Sequence, residues 1–321
     1  MVPLTNGEGS IVGDANKRGN YAVRVALARE KKNGSPPLRK REDAQEGISN
    51  VSYSAIAEYG YELSAADAVL PIILKSENEK ELSVIGTGFF VGPDIILTAR
   101  HIFEGENPRR MACLQMQSAS DQYIFRQFRQ VIPHEKSDIV LCELHPMKNG
   151  RHNLNLLNHV FLIGGAVPSP ESALTTYAYP DVSTRRYKDV LHMSIAPHHY
   201  DGKVLDVFPV QRDSVMLNFP CMRTSIHLHG GASGGPVINL ATGAVVGVNT
   251  SSFSGAKNES YVALINPIVD MPIHNVKYVG GISVATTLRE LSLSGSARVV
   301  PENVLMQAKT ITVRRNAVTG A

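Results

Sequence analysis

Cysteine is scarce in this chain. Only Cys113, Cys142 and Cys221 occur in 321 residues, too few and odd in number for a disulfide framework. No two of them have CxxC spacing, which argues against a structural zinc site. Long apolar runs are missing too. A membrane-spanning helix needs a run of about eighteen or more apolar residues, and none comes near it. The first residues show no basic stretch followed by an apolar one, so no signal peptide is expected. These absences lead us to expect a reducing, cytoplasmic setting and no membrane partner. Most of the chain also lacks excess positive charge. Residues 1–41 carry a net +6, whereas the remaining 280 carry a net −3. The body of the protein is therefore not expected to bind nucleic acid.

What the sequence does have is a change of texture. Residues 1–60 are rich in Gly, Asn and charge, with Pro36-Pro37 followed by Arg39-Lys40-Arg41. They read as a disordered basic tail, because they hold too little apolar surface to offset the entropy of ordering. Residues 20–31 could form one short basic helix within it. From about residue 64, short apolar runs recur between Gly, Pro, Asn and Asp. They include AVLPIILK (68–75), GFFVG (88–92), DIILT (94–98), MACLQM (111–116), YIFRQFRQV (123–131) and DIVLCEL (138–144). A polar stretch, HPMKNGRHN (145–153), separates them from a second set. That set includes LTTYAY (174–179), DVLHMSI (189–195), KVLDVFPV (203–210), SVMLN (214–218), PVINL (236–240), AVVGVNT (244–250) and SYVALI (260–265). Many short strands at close, regular spacing predict an all-β protein. Two groups of about six predict two packed six-stranded antiparallel β-barrels, at about 66–145 and 154–270. One helix is expected at about 282–292. The folded domain should span 61–295, with a C-terminal tail over 296–321. No internal sequence repeat is visible.

Three segments carry chemistry. IILTARHIF (95–103) ends an apolar strand on His101. KSDIVLCEL (136–144) opens one on Asp138. GGASGGPVINL (230–240) sets Ser233 among four glycines ahead of a strand. A serine hydroxyl is a poor nucleophile at neutral pH. It needs an imidazole to take its proton, and a carboxylate to fix the imidazole tautomer and stabilise the imidazolium. The glycines let the amides of Gly231 and Ser233 turn toward one point, as an oxyanion hole requires. GASGG also fits the nucleophile elbow of α/β-hydrolases. That fold needs a helix after the serine and a later histidine. Here Pro236 and a β-rich run follow, and only His274 lies downstream.

In their order, these segments resemble the chymotrypsin/trypsin-like serine proteases. TARHI is similar to the family's TAxH segment, SDIVL to its D-I-A-L segment, and GASGGP to its GxSGGP loop. GTGFFVG (86–92) resembles the strand before the histidine hairpin. GVNTSS (247–252) resembles the substrate-binding strand in the form seen in Deg/HtrA and other bacterial-type trypsin-like peptidases. The resemblance covers about residues 66–292. It implies a chymotrypsin-like pair of barrels and a serine endopeptidase that needs no metal or organic cofactor and acts on polypeptides. It implies His101 as general base, Asp138 as its orienter and Ser233 as nucleophile. It implies the Gly231 and Ser233 amides as oxyanion hole, and substrate contact by His227, Thr250, Ser251 and Ser252.

Several positions depart from the family pattern. Ile102 follows the histidine where secreted members have cysteine. Ala232 precedes the serine where trypsin has aspartate, so activation by a buried new N-terminus is not expected. His227 stands at the base of the specificity pocket in place of aspartate, which removes the electrostatic basis for a Lys/Arg preference. Small or medium apolar residues before the scissile bond are expected instead, with attraction of Glu or Asp by a protonated His227 as the variant. Glu259 is the carboxylate that could reach the pocket if a cationic preference persisted. With only about 30 residues after the helix, no PDZ-like domain is expected. The alternative reading is a catalytically silent binding module on the same fold. The cysteines read as core residues, His134 as a loop histidine, and YIFRQFRQV as an edge strand with one polar face.

Overall fold

Six antiparallel strands close the first barrel: β1 (Val69–Lys75), β2 (Leu82–Gly92), β3 (Ile95–Ala99), β4 (Met111–Gln117), β5 (Gln122–Pro133) and β6 (Ile139–Leu144). Six more make the second: β7 (Ala173–Tyr187), β8 (Val190–Phe208), β9 (Cys221–Thr224), β10 (Pro236–Asn239), β11 (Val245–Ser251) and β12 (Ser260–Leu264). In the first barrel the pairing runs β1-β2-β3-β6-β5-β4 and returns to β1. In the second it runs β7-β8-β9-β12-β11-β10 and returns to β7. The two rings therefore share one strand order, although the sequence shows no repeat. The expected pair of six-stranded barrels is what the chain forms. The computed structural model describes residues 68–76, 81–117, 122–145, 160–187, 190–251, 259–277 and 283–300, together with a few short strands nearer the termini.

Period-two alternation explains why the strands read as continuous apolar runs. In β3 and β6, Ile96, Val140 and Cys142 point into the first barrel with Leu70, Ile72 and Phe90. Their neighbours Ile95, Leu97, Ile139 and Leu141 point the other way, into a cluster shared with Tyr177, Tyr179, Val245, Val248 and Ala263 of the second barrel. Both faces of these strands are thus buried, which is why their runs are almost wholly apolar. Leu174, Tyr200, Val204, Met222, Val246 and Val262 fill the second barrel. The three cysteines are free and buried. Burial raises each thiol pKa, that of Cys221 to about 11.

Several sequence expectations need correction. LTTYAY, DVLHMSI and KVLDVFPV are parts of one long β7–β8 hairpin, whose register shifts between Ala178 and Asp181 around Pro180. SVMLN forms no strand. Asp213 Oδ1 accepts the amides of Val215, Met216 and Leu217 at 2.9, 2.6 and 3.1 Å, so a side chain replaces a strand partner. YIFRQFRQV lies in β5, which pairs on both sides and is no edge. Its Arg126 is buried, bonded to Gln115 Oε1, to Asp94 and to the His145 carbonyl. The predicted helix begins only at Leu288. Ser283–Thr286 is a strand, and Thr287 starts α1 (Leu288–Leu293) through a capping box with Glu290. Within 20–31, Ala22–Leu27 is a strand paired in parallel with Val190–Ile195, not a helix. Val23, Val25 and Leu27 alternate there with Arg24 and Ala26, which suits a strand.

Candidate active site

His101 lies in a 3₁₀ turn, Arg100–Phe103, directly after β3. The β3–β6 ladder pairs Ala99 with Ile139. That register carries Asp138, the residue before β6, to the start of the turn. The Arg100 amide donates to the Asp138 carbonyl at 3.1 Å. The Asp138 side chain then grips His101 twice. Oδ1 accepts the His101 main-chain amide at 3.0 Å, and Oδ2 lies 2.8 Å from Nδ1. Nδ1 is therefore the ring nitrogen that carries hydrogen, and Nε2 faces outward as an acceptor. Asp138 is buried, while the His101 side chain is 38% exposed. Burial lowers the imidazole pKa. The hydrogen bond and charge of Asp138, helped by Glu104, outweigh burial and the repulsion of Arg100, and hold it above the ordinary value of 6.5. Ile102 packs beneath Gly86, where a Cβ would come within 2.3 Å of its Cδ1.

Ser233 belongs to the loop between β9 and β10. Two short turns shape it: Ala232 N–H donates to the His229 carbonyl and Gly235 N–H to the Ala232 carbonyl, both at 3.1 Å. Gly234 has φ +85°, and a Cβ on it would sit 2.1 Å from both the Thr87 carbonyl and Thr98 Oγ1. Only glycine permits that backbone angle and that approach to the first barrel together. The loop thereby lies against β2 and β3, with Gly234 beside Ala99, two residues before His101. Thr87 N–H donates to the Ser233 carbonyl at 2.8 Å. The Ser233 hydroxyl donates to the Thr250 carbonyl at 3.3 Å. It is not bonded to His101, whose Nε2 has no hydrogen-bond partner among the described residues. The Gly231 and Ser233 amides likewise donate to no described residue, as is needed for groups that meet a developing oxyanion.

The other predicted residues fall into place unevenly. Thr250 is buried and Ser251 half-buried at the end of β11. Ser252 lies outside the described residues. His227 is half-buried six residues before Ser233. Its Nδ1 is buried without a partner, and its ring stands edge-on to His229 at 5.0 Å. His229 continues to Tyr200 at 6.0 Å. Glu259 is paired with Arg223 at 3.3 Å, so it supplies no free carboxylate to a pocket. His134 is a loop residue, its Nδ1 accepting the Lys136 amide at 3.2 Å.

Sequence reading missed the residues that hold the loop. Asn249 is fully buried. Its amide donates to the Gly235 carbonyl at 2.9 Å, and its carbonyl accepts from Gly234 at 2.7 Å. Its Nδ2 reaches the Ala232 carbonyl at 3.3 Å and Thr176 Oγ1 at 2.8 Å. Thr176 in turn donates to the Pro236 carbonyl at 2.7 Å. The available signal was a small polar residue inside each apolar strand, beside the motifs.

The model of one protein family, described as a trypsin-like peptidase domain, matches residues 86–248. No curated protein matches the sequence. Similar solved structures include the active form of the Rv3671c protease from M. tuberculosis, with 14% identity and a TM-score of 0.46 over 74% of this chain and 85% of that one. The MamO protease domain from Magnetospirillum magneticum has 16% identity and a TM-score of 0.45 over 64% of this chain and 95% of that one. A mutant of human heparin binding protein has 12% identity and a TM-score of 0.45 over 67% and 92%.

Proposed function

The chain belongs to the trypsin-like peptidase domain family, and from that premise we propose that it is a serine endopeptidase acting through His101, Asp138 and Ser233. The observation that carries this reading is the two-point grip of Asp138 on His101. It fixes the tautomer in which Nε2 can accept a proton, beside a loop with two unengaged amides.

In this mechanism the Ser233 hydroxyl gives up its long bond to Thr250 and turns to Nε2 of His101. His101 takes the proton as Oγ attacks the scissile carbonyl, and the imidazolium is stabilised by Asp138. Negative charge develops on the carbonyl oxygen, where the Gly231 and Ser233 amides receive it. His101 then protonates the leaving amine, and the acyl-enzyme is hydrolysed by the same steps with water as nucleophile. The substrate is a polypeptide that adds as an antiparallel strand along residues 250–252. No step requires a metal or an organic cofactor. Three buried thiols without a disulfide fit a reducing, cytoplasmic setting.

Specificity follows from the pocket base. A trypsin-like pocket selects Lys or Arg through a charge-assisted pair with a buried carboxylate. His227 stands in that position and Glu259 is committed to Arg223. A cationic side chain would be buried uncompensated, which is costly. We therefore assign a preference for small or medium apolar residues before the scissile bond. A second reading rests on the unpartnered His227 Nδ1. As an N–H donor, that nitrogen would bond a substrate carboxylate and favour cleavage after Glu or Asp. A positional-scanning peptide library at pH 6 and pH 8, with the Ser233→Ala protein as blank, tests both readings. Strong cleavage after Lys or Arg at both pH values contradicts both. Near wild-type cleavage by the blank contradicts the endopeptidase assignment and favours a silent binding module.

A further inference from the structure

Ala232 has only a methyl group to offer where an ion-paired carboxylate would anchor the nucleophile loop. The loop is nevertheless held, and one residue of the other barrel bonds the carbonyls of both residues whose amides would meet the oxyanion. Thr87 is fully buried in β2. Its hydroxyl donates to the Gly231 carbonyl at 2.8 Å, and its amide donates to the Ser233 carbonyl at 2.8 Å. The same hydroxyl accepts the Tyr179 amide of β7 at 3.2 Å, so its rotation is set from both sides. The Thr87 carbonyl is also fixed. Thr98 Oγ1 donates to it at 2.6 Å. A chain of hydrogen bonds thus runs Thr98, Thr87, Gly231 between the barrels.

We propose that Thr87 is a positioning residue that aims the oxyanion hole. Gly231 has φ +86° and no side chain, so little in its own structure holds its peptide planes in one orientation. Tying its carbonyl to Thr87 removes that freedom. Tying the Ser233 carbonyl to the Thr87 amide does the same at the nucleophile. Both anchors come from the first barrel, which also carries His101. The histidine and the oxyanion donors are therefore set against one reference frame, although they belong to different barrels. A preorganised donor pair is worth much more to the transition state than one that must reorient.

The inference rests on the serine peptidase reading, and its test separates the two. Thr87→Val keeps the shape and loses the hydroxyl, whereas Thr87→Ser keeps the hydroxyl. In Thr87→Val, kcat should fall about 10- to 100-fold while KM stays within about threefold. Thr87→Ser should stay within about threefold of wild type in both. A peptide aldehyde, whose adduct places an oxyanion in the hole, should lose affinity in Thr87→Val by a factor close to the fall in kcat. The matching peptide alcohol should not lose affinity. Amide hydrogen exchange over 230–235 should rise about tenfold in Thr87→Val, with the barrel strands unchanged. Thr87→Cys, which keeps volume and a weak donor, should lie between and serves if the valine variant does not fold. Exchange needs no turnover. An inert wild-type protein would sink the peptidase reading and still leave exchange to decide on Thr87. Wild-type kcat and unchanged exchange in Thr87→Val, or equal loss in the serine and valine variants, would overturn the proposal.

Discussion

At His101, two opposing effects act on one ring. Burial favours the neutral imidazole, and Asp138 favours the charged form. The carboxylate prevails, so the acid limb of kcat/KM should have its midpoint above 6.5, the ordinary histidine value. The sign follows from the role: the base must be neutral to accept a proton, and a raised pKa moves the onset of activity to higher pH. Asp138→Asn removes the charge and leaves the shape. It should lower kcat by about 10⁴-fold, because Nδ1 loses the acceptor that selects the productive tautomer. Its residual acid limb should move to lower pH. A pH–rate profile of both proteins checks this, and an acid limb at or below 6.5 in the wild type would contradict the balance of forces described here.

Among the elements, the Gly230–Gly235 loop shows how sequence and packing meet. Gly234 combines a positive φ with a position where a Cβ would overlap backbone and side-chain atoms of the first barrel. Gly234→Ala should therefore destabilise the fold by more than about 1–3 kcal/mol, the usual scale for backbone strain alone. Urea unfolding of the variant measures it, and a loss below that range would mean that the loop can retreat from β2 and β3 at little cost. The glycine was legible in the sequence, and so were His101, Asp138 and Ser233, because each motif couples a reactive residue to a fixed backbone shape. The tethers were not legible. Thr87, Thr98, Thr176 and Asn249 read as ordinary strand residues until the barrels bring them onto the loop. SVMLN misled because apolar content alone does not reveal a side chain such as Asp213 that captures three amides. The β7–β8 hairpin misled because its apolar runs are broken at Pro180 and Pro197, whereas the ladder bulges around the first and continues past the second. Arg126 read as exposed because its partners Asp94, Gln115 and His145 are distant in sequence.

For the molecule as a whole, the arrangement amounts to two topologically equal barrels sharing a third apolar cluster between them. His199, on β8, is buried against Tyr177, with ring centroids 4.6 Å apart. Burial, with a smaller effect from His198, lowers its pKa to about 4 from 6.5. The unfolded chain takes up a proton near pH 6.5, which the folded protein resists until about pH 4. This contribution to stability is full above pH 6.5 and is lost as the pH falls toward 4, amounting to about 3 kcal/mol. In urea unfolding at pH 7.5 and 4.5, His199→Gln should lose less stability on acidification than the wild type, by up to that amount. Equal losses in the two proteins would show that His199 is protonated in the fold.

The central claim is that Ser233 is a nucleophile made reactive by His101. Incubation of the full chain with a fluorophosphonate, followed by peptide mass mapping, tests it most directly. The account predicts one covalent adduct, on Ser233, which is absent from Ser233→Ala and strongly slowed in His101→Ala. An unlabelled wild-type protein, or an adduct on another residue that persists in Ser233→Ala, would contradict it.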